Sequence, residues 1–188
     1  FAGLSATERR GVLVLLLLVA ASSIFWAGYE QGGSALNLFA QRHTDRMVGA
    51  FEIPAGWFQS VPAAFVILCA PPMAMLWVWL DRRGRDLSLV AKFGVGLAGM
   101  ALGFLVMAGA ASMLAATGSA AAGFLVLTYF LHTVGELALS PVGMSATTQL
   151  VPRRFGGQAM GVWFTSLALG NLLASRLAGE LDGADAAD

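Results

Sequence analysis

Between Phe93 and Gly135 the chain carries no Asp, Glu, Lys or Arg, and this single stretch does most to fix the class of fold. A backbone inside hydrocarbon must satisfy its own N–H and C=O groups, so an apolar run of this length is helical and spans a bilayer. Crossing about 30 Å of hydrocarbon takes about 20 helical residues. The stretch is too long for one crossing, and the small polar turn Thr117-Gly118-Ser119 divides it. Similar runs recur elsewhere. Gly11 to Tyr29 is free of charge, with apolar character continuing past Glu30 to Ala40, and a second run extends from Ile53 to Leu80. The predicted spans are about 11–40, 56–80, 88–112, 120–146 and 155–175. Residues 1–188 are thus expected to form one all-α, polytopic transmembrane helix bundle embedded in lipid.

Composition excludes the other classes. Hydrophobic residues make up 57% and charged residues only 12%, too few charges to cover a water-facing surface or to sustain disorder. Eleven basic and eleven acidic residues cancel, so no basic field exists to hold nucleic acid. A single cysteine, Cys69, excludes a disulfide within the chain, and His43 and His132 lie too far apart for a local metal-ligand spacing. Neither a metal nor an organic cofactor is expected. No nucleophile–base pair or phosphate-binding glycine loop stands at usable spacing, so the chain is not expected to be an enzyme. Arg9-Arg10 before Val12–Ala20 has the look of a secretory leader, but the next segment is again lipophilic rather than a soluble domain.

The basic residues orient the spans. Arg9, Arg10, Arg82, Arg83, Arg85, Lys92, Arg153 and Arg154 fall on one side; Arg42, Arg46 and Arg176 fall on the other. The positive-inside rule makes the amino terminus cytoplasmic and the acidic tail Glu180 to Asp188 external. An odd number of spans suggests part of something larger.

Two carboxylates lie inside the predicted spans, Glu30 and Glu136. A charged side chain at that depth costs about 2.5–3.5 kcal/mol on insertion scales. No Lys or Arg lies in the apolar interior of any span to offset them. Burial favours the protonated form of a carboxyl group and a nearby cation reverses that preference. Such a group is suited to coupling proton movement to solute movement. At helical spacing Glu30 shares a face with Ser23, Trp26, Ser34 and Asn37, and Glu136 with Thr128, His132 and Ser140. Each acid therefore belongs to a polar stripe that reads as the wall of a water-filled cavity, with Trp26 offering an aromatic surface beside Glu30. The bland alternative is acids that only hydrogen-bond a neighbouring helix.

Proline pairs with this picture. Pro71-Pro72 is expected to interrupt the second span, and Ser140-Pro141-Val142-Gly143 the fourth, with Pro141 and Gly143 as hinge candidates. Gly94, Gly96, Gly99 and Gly103 on the third span read as helix packing.

These residues carry a resemblance. Phe25-Trp26-Ala27-Gly28-Tyr29-Glu30-Gln31-Gly32-Gly33-Ser34 and the residues up to Ala40 resemble the seventh helix of the proton-dependent oligopeptide transporters, a branch of the major facilitator superfamily. Gly135-Glu136-Leu137-Ala138-Leu139-Ser140-Pro141-Val142-Gly143 resembles the tenth, Phe155 to Phe164 the start of the eleventh, and Trp57-Phe58-Gln59-Ser60 with Ala70-Pro71 the eighth. Asp81-Arg82-Arg83-Gly84-Arg85 is similar to the superfamily's cytoplasmic loop motif. The resemblance covers essentially the whole chain.

It implies a twelve-helix carrier of which this chain is most of the second half, the first half and the last helix being absent. It further implies proton-coupled symport of di- and tripeptides by alternating access in the plasma membrane, with the proton as coupling ion. Glu30 would pair with a lysine of the first half. Glu136 would receive the peptide's amino terminus beside Ser140, and Trp26 and Trp163 would line the peptide cavity. One departure stands out. One residue after Gln59-Ser60 the family carries Asn-Pro, whereas Val61 is followed by Pro62-Ala63, so that asparagine amide is missing. The competing expectations are a superfamily carrier for another small solute and a non-transporting membrane subunit.

Overall fold

Ser5 opens the first helix. Its hydroxyl accepts from the Glu8 N–H at 3.2 Å while Glu8 Oε2 accepts from the Ser5 N–H at 2.7 Å, a reciprocal cap that satisfies two donors at the helix start. Helix α1 then runs over Ala6–Tyr29. The computed structural model describes residues 4–185 and continues with α2 (Ala35–Arg42), α3 (Val61–Arg82), α4 (Leu89–Thr117), α5 (Ala122–Leu150) and α6 (Gly156–Asp185). Residues 186–188 of the acidic tail, expected to be external, lie outside the described residues.

Among the described residues four segments are long and apolar enough to cross a membrane: Ala6–Arg42, Ala55–Arg82, Leu89–Thr117 and Ala122–Leu150. Helix α6, expected as a fifth span over 155–175, has the length but is more polar, punctuated by Gln158, Thr165, Ser166, Asn171 and Ser175. It packs along α1, and it continues to Asp185, so the first residues of the acidic tail are helical. Helix α4 packs along α5, and α3 against α5.

The interruptions fall elsewhere than proline predicts. The first span breaks after Tyr29 into a tight 3₁₀ turn over Glu30–Gly33, and Ser34, with φ −119° and ψ −98°, redirects the chain into α2. Tandem Gly32-Gly33 is the local cause, because glycine is about 1 kcal/mol poorer than alanine in a helix interior. Helices α3 and α5 instead run unbroken through Pro71-Pro72 and Pro141. Each proline removes one donor, but the turns on either side retain their hydrogen bonds, and no alternative partner in an apolar setting competes for them.

Close approach of α4 and α5 rests on glycine. A Cβ on Gly99 would stand 2.8 Å from the Leu131 carbonyl oxygen, and one on Gly135 would stand 2.7 Å from the Gly96 carbonyl oxygen. Two apolar clusters fill the rest. Leu15, Leu18, Phe25, Phe93, Met100, Leu139 and Trp163 form the larger one, and Leu36, Ala40, Phe58, Leu125 and Tyr129 the smaller. Helix α3 buries no residue completely and exposes Ile67, Leu68 and Met75.

Charge sorts to the two ends. Glu8 and Arg154 approach to 3.9 Å, Gly11 abuts the Leu150 carbonyl, and the Asp86–Lys92 pair, at 2.9 Å, shares a cavity with Gln149 and Leu150. At the opposite end Thr44–Asp45 (β1) pairs in parallel with Ala120–Ala121 (β4). A hairpin of Met47–Val48 (β2) and Phe51–Glu52 (β3) is tied by the Arg46–Glu52 ion pair at 2.5 Å.

Candidate solute and proton site

Where α1 gives way to the 3₁₀ turn, backbone groups lose their helical partners and side chains replace them. The Tyr129 hydroxyl donates to the Gly32 carbonyl at 3.4 Å. Buried Gln31 donates through Nε2 to the carbonyls of Ala27 at 3.3 Å and Ala174 at 3.2 Å, and its Oε1 accepts from the Ser34 hydroxyl at 3.1 Å. Buried Ser22 and Ser166 meet at 3.0 Å one helical stretch earlier. Helices α1 and α6 are therefore joined by a polar seam that ends at the break.

Glu30 stands on that break. It is exposed on an open cavity of about 210 Å³ shared with Tyr29, Gln59, Pro62, Tyr129 and His132. With its amide nitrogen turned inward, Asn171 of α6 donates to Glu30 Oε1 at 3.2 Å and Oε2 at 3.3 Å. Among the described residues no Lys or Arg forms an ion pair with Glu30 or Glu136.

Glu136 lies on α5, half-buried, facing the Tyr29 hydroxyl, which also neighbours Thr133 and feels the charge of Glu30. Tyr29 thus links the two acids. It belongs to an aromatic group with Phe25 and Trp26 whose ring centroids are 5.3 to 5.8 Å apart. Among the described residues Glu136 Oε2, Ser140 Oγ, Thr133 Oγ1 and Trp26 Nε1 are buried without a hydrogen-bond partner, as are Asn37 Oδ1, Arg46 Nε, Trp77 Nε1 and His132 Nε2 elsewhere. Leaving a buried polar group unpaired costs about 1–3 kcal/mol each, so such a concentration along one region is suited to a polar partner from outside these helices.

The predicted site residues divide. Trp26, Glu30 and Glu136 gather around Tyr29, and Ser140 stands one helical turn beyond Glu136 on α5. Trp163 does not: it is 2% exposed, edge-to-face with Phe93 at 6.1 Å, and its indole occupies the space over Gly143. It is a core side chain, because the absent Cβ of Gly143 leaves a slot the ring fills. Gly143 is accordingly a packing glycine beneath that ring, and exposed Pro141 sits in a continuous helix rather than at an interruption. The stripe expected around Glu136 also splits. Thr128 turns to α4, donating to the Gly103 carbonyl at 3.2 Å, and His132 is wedged against Gly103 and Phe104 with only an edge on the Glu30 cavity. Likewise the 3₁₀ turn takes Asn37 off the Glu30 face and into a separate cavity of about 450 Å³ beside His43. Sequence reasoning missed Asn171, Tyr29 and Gln59. Gln59 was visible within the Gln59-Ser60 motif, whereas Asn171 had no signal beyond being an amide in an apolar helix.

Comparison with known proteins fits this geometry. The POT family (PTR2) profile matches residues 4–186. The chain is 42% identical over 183 residues to the peptide transporter YePEPT of Yersinia enterocolitica subsp. palearctica, covering 96% of this chain and 36% of that protein. It is 32% identical over 176 residues to dipeptide and tripeptide permease A of Chromobacterium violaceum, covering 94% and 35%. Among solved structures it is similar to the peptide transporter POT in complex with sulfate, with a TM-score of 0.86 and 38% identity over 93% of this chain and 35% of that one. It is also similar to a POT family transporter in complex with a thioalcohol conjugated peptide, with a TM-score of 0.86 and 26% identity over 97% and 38%. The chain spans about a third of the length of the relatives it matches. With its apolar helices, its broken first span and a family match along nearly its whole length, this chain is a membrane protein that belongs to the POT family of the major facilitator superfamily.

Proposed function

We propose that this chain forms part of a carrier that moves di- and tripeptides across the plasma membrane together with protons, by alternating access, and is not an enzyme. The observation that carries the proposal is the row of orphaned buried polar atoms on Trp26, Thr133, Glu136 and Ser140, beside a second acid with no cationic partner among the described residues. A peptide supplies what these groups lack: an ammonium for Glu136 and amides for the hydroxyls and the indole N–H. The ammonium–carboxylate contact is charge-assisted and about twice as strong as a neutral hydrogen bond. Gln59, on the Glu30 cavity, offers an amide near Pro62, where the family's asparagine is missing.

Glu30 takes the coupling role. It alternates between a cation from the remainder of the carrier and a proton, so that protonation loosens the contact between halves and permits rocking around the midplane site. The basic end formed by Arg9, Arg10, Arg82, Arg83, Arg85, Arg153 and Arg154 faces the cytoplasm, which sets the amino terminus inside. The test uses the full-length carrier in proteoliposomes with an imposed proton gradient. Labelled dialanine should accumulate, be displaced by di- and tripeptides and not by free alanine, and fail to accumulate in Glu30→Gln while peptide exchange persists. Equal displacement by free amino acids would overturn the peptide assignment. Normal proton-driven uptake by Glu30→Gln would overturn the coupling role.

A further inference from the structure

Asn171 meets Glu30 in a way that its chemistry makes reversible. With nitrogen toward the acid, the amide donates to both carboxylate oxygens, at 3.2 and 3.3 Å. Turned by half a rotation about its last side-chain bond, it presents a carbonyl oxygen instead, and two acceptors then face each other. That second orientation is satisfied only when a proton lies between them, that is, when Glu30 is a carboxylic acid and donates its O–H. An asparagine at this place can donate to the carboxylate and accept from the acid, whereas a Lys or Arg has donors only.

The backbone around it is fixed, so the rotation is confined to the amide. One residue earlier, Gly170 packs directly on Trp26, and one turn later the Ala174 carbonyl accepts from Gln31 at 3.2 Å. Both acid and amide are exposed among the described helices. The other titratable groups facing Glu30 come from its own helix end and from α5: Tyr29, Tyr129 and His132 on the shared cavity, with Glu136 across Tyr29. Among the described residues none of these hydrogen-bonds its carboxylate as Asn171 does.

We infer that Asn171 is a positioning residue for the proton step: its amide turns with the protonation of Glu30 and holds the acid against α6 in either state. This inference rests on the coupling role of Glu30 proposed above.

The test replaces Asn171 by Leu in the full-length carrier, with Asn171→Ala as the smaller substitution if Leu lowers the yield of folded protein. Two readouts are taken. The first is the pH dependence of proton-driven dialanine uptake; the second is the carboxyl C=O infrared band that disappears in Glu30→Gln, followed against pH. Loss of the amide should move that band to higher frequency, because the protonated acid no longer donates to an amide oxygen, and should lower proton-driven uptake severalfold. Peptide exchange without a proton gradient should persist. A band at the position found in the unsubstituted carrier, in folded protein, would overturn the role of Asn171. An infrared shift with an unmoved uptake profile would leave the Asn171–Glu30 bond standing and overturn the coupling role instead.

Discussion

Adding one methyl group at Gly135 should separate two helices that adding it at Gly94 would not disturb. A Cβ at Gly135 would lie 2.7 Å from the Gly96 carbonyl oxygen and 3.2 Å from a ring carbon of Phe25. The closest comfortable carbon–oxygen approach is about 3.3 Å, so the overlap is about 0.6 Å against backbone, which cannot rotate away. Overpacking of this kind costs about 1–3 kcal/mol. Gly94, on the facing helix α4, has nothing within 4 Å of its would-be Cβ. Both substitutions gain the same intrinsic helix preference of about 1 kcal/mol, so it cancels when they are compared. Gly135→Ala should therefore be about 1–3 kcal/mol less stable than Gly94→Ala, a factor of about 5 to 150 in the folding equilibrium. Equilibrium unfolding of the full-length carrier in mixed micelles measures the difference. Equal stability of the two variants would refute the tight α4–α5 contact.

Gly143→Ala should expel the Trp163 indole, shifting tryptophan emission and lowering stability by about 1–3 kcal/mol, whereas a pure hinge glycine would leave the emission unmoved. A double-mutant cycle of Ser22→Ala and Ser166→Ala should return a coupling of about 0.6 kcal/mol, the usual size of an interhelical hydrogen bond in a membrane, from the 3.0 Å contact between them; additive effects would remove that bond from the α1–α6 seam.

Helix class and the glycine seam were legible because both rest on local rules: charge-free length sets the spans, and small residues at helical spacing on α4 meet Gly135 of α5. The interruptions were not. Proline announces a missing donor, but whether a helix stops depends on what its neighbours offer, and here α3 and α5 continue. The break came instead from Gly32-Gly33, and carbonyls around it are taken up by side chains, that of Gly32 by distant Tyr129 and those of Ala27 and Glu30 by neighbouring Gln31 and Ser34. The two acids stood out because an ionisable group in an apolar run has few structural excuses. Trp163 was misplaced for the opposite reason: its burial depends on a slot made by a distant glycine, invisible from its own neighbours. Asn171 was passed over because an uncharged amide raises no such alarm, and only the pairing of α6 with α1 brings it to Glu30.

The most direct measurement is dipeptide binding to the full-length carrier with Glu136→Gln. Glutamine keeps the shape of the side chain, removes the charge that a peptide ammonium would meet and retains an acceptor oxygen for the Tyr29 hydroxyl, while Oε2 of Glu136 has no hydrogen-bond partner among the described residues to lose. Loss of one charge-assisted contact, about 1.5–3 kcal/mol, predicts binding weaker by about 10- to 150-fold at nearly unchanged melting temperature. Unaltered dipeptide affinity in a folded Glu136→Gln carrier would contradict a peptide site built on this acid.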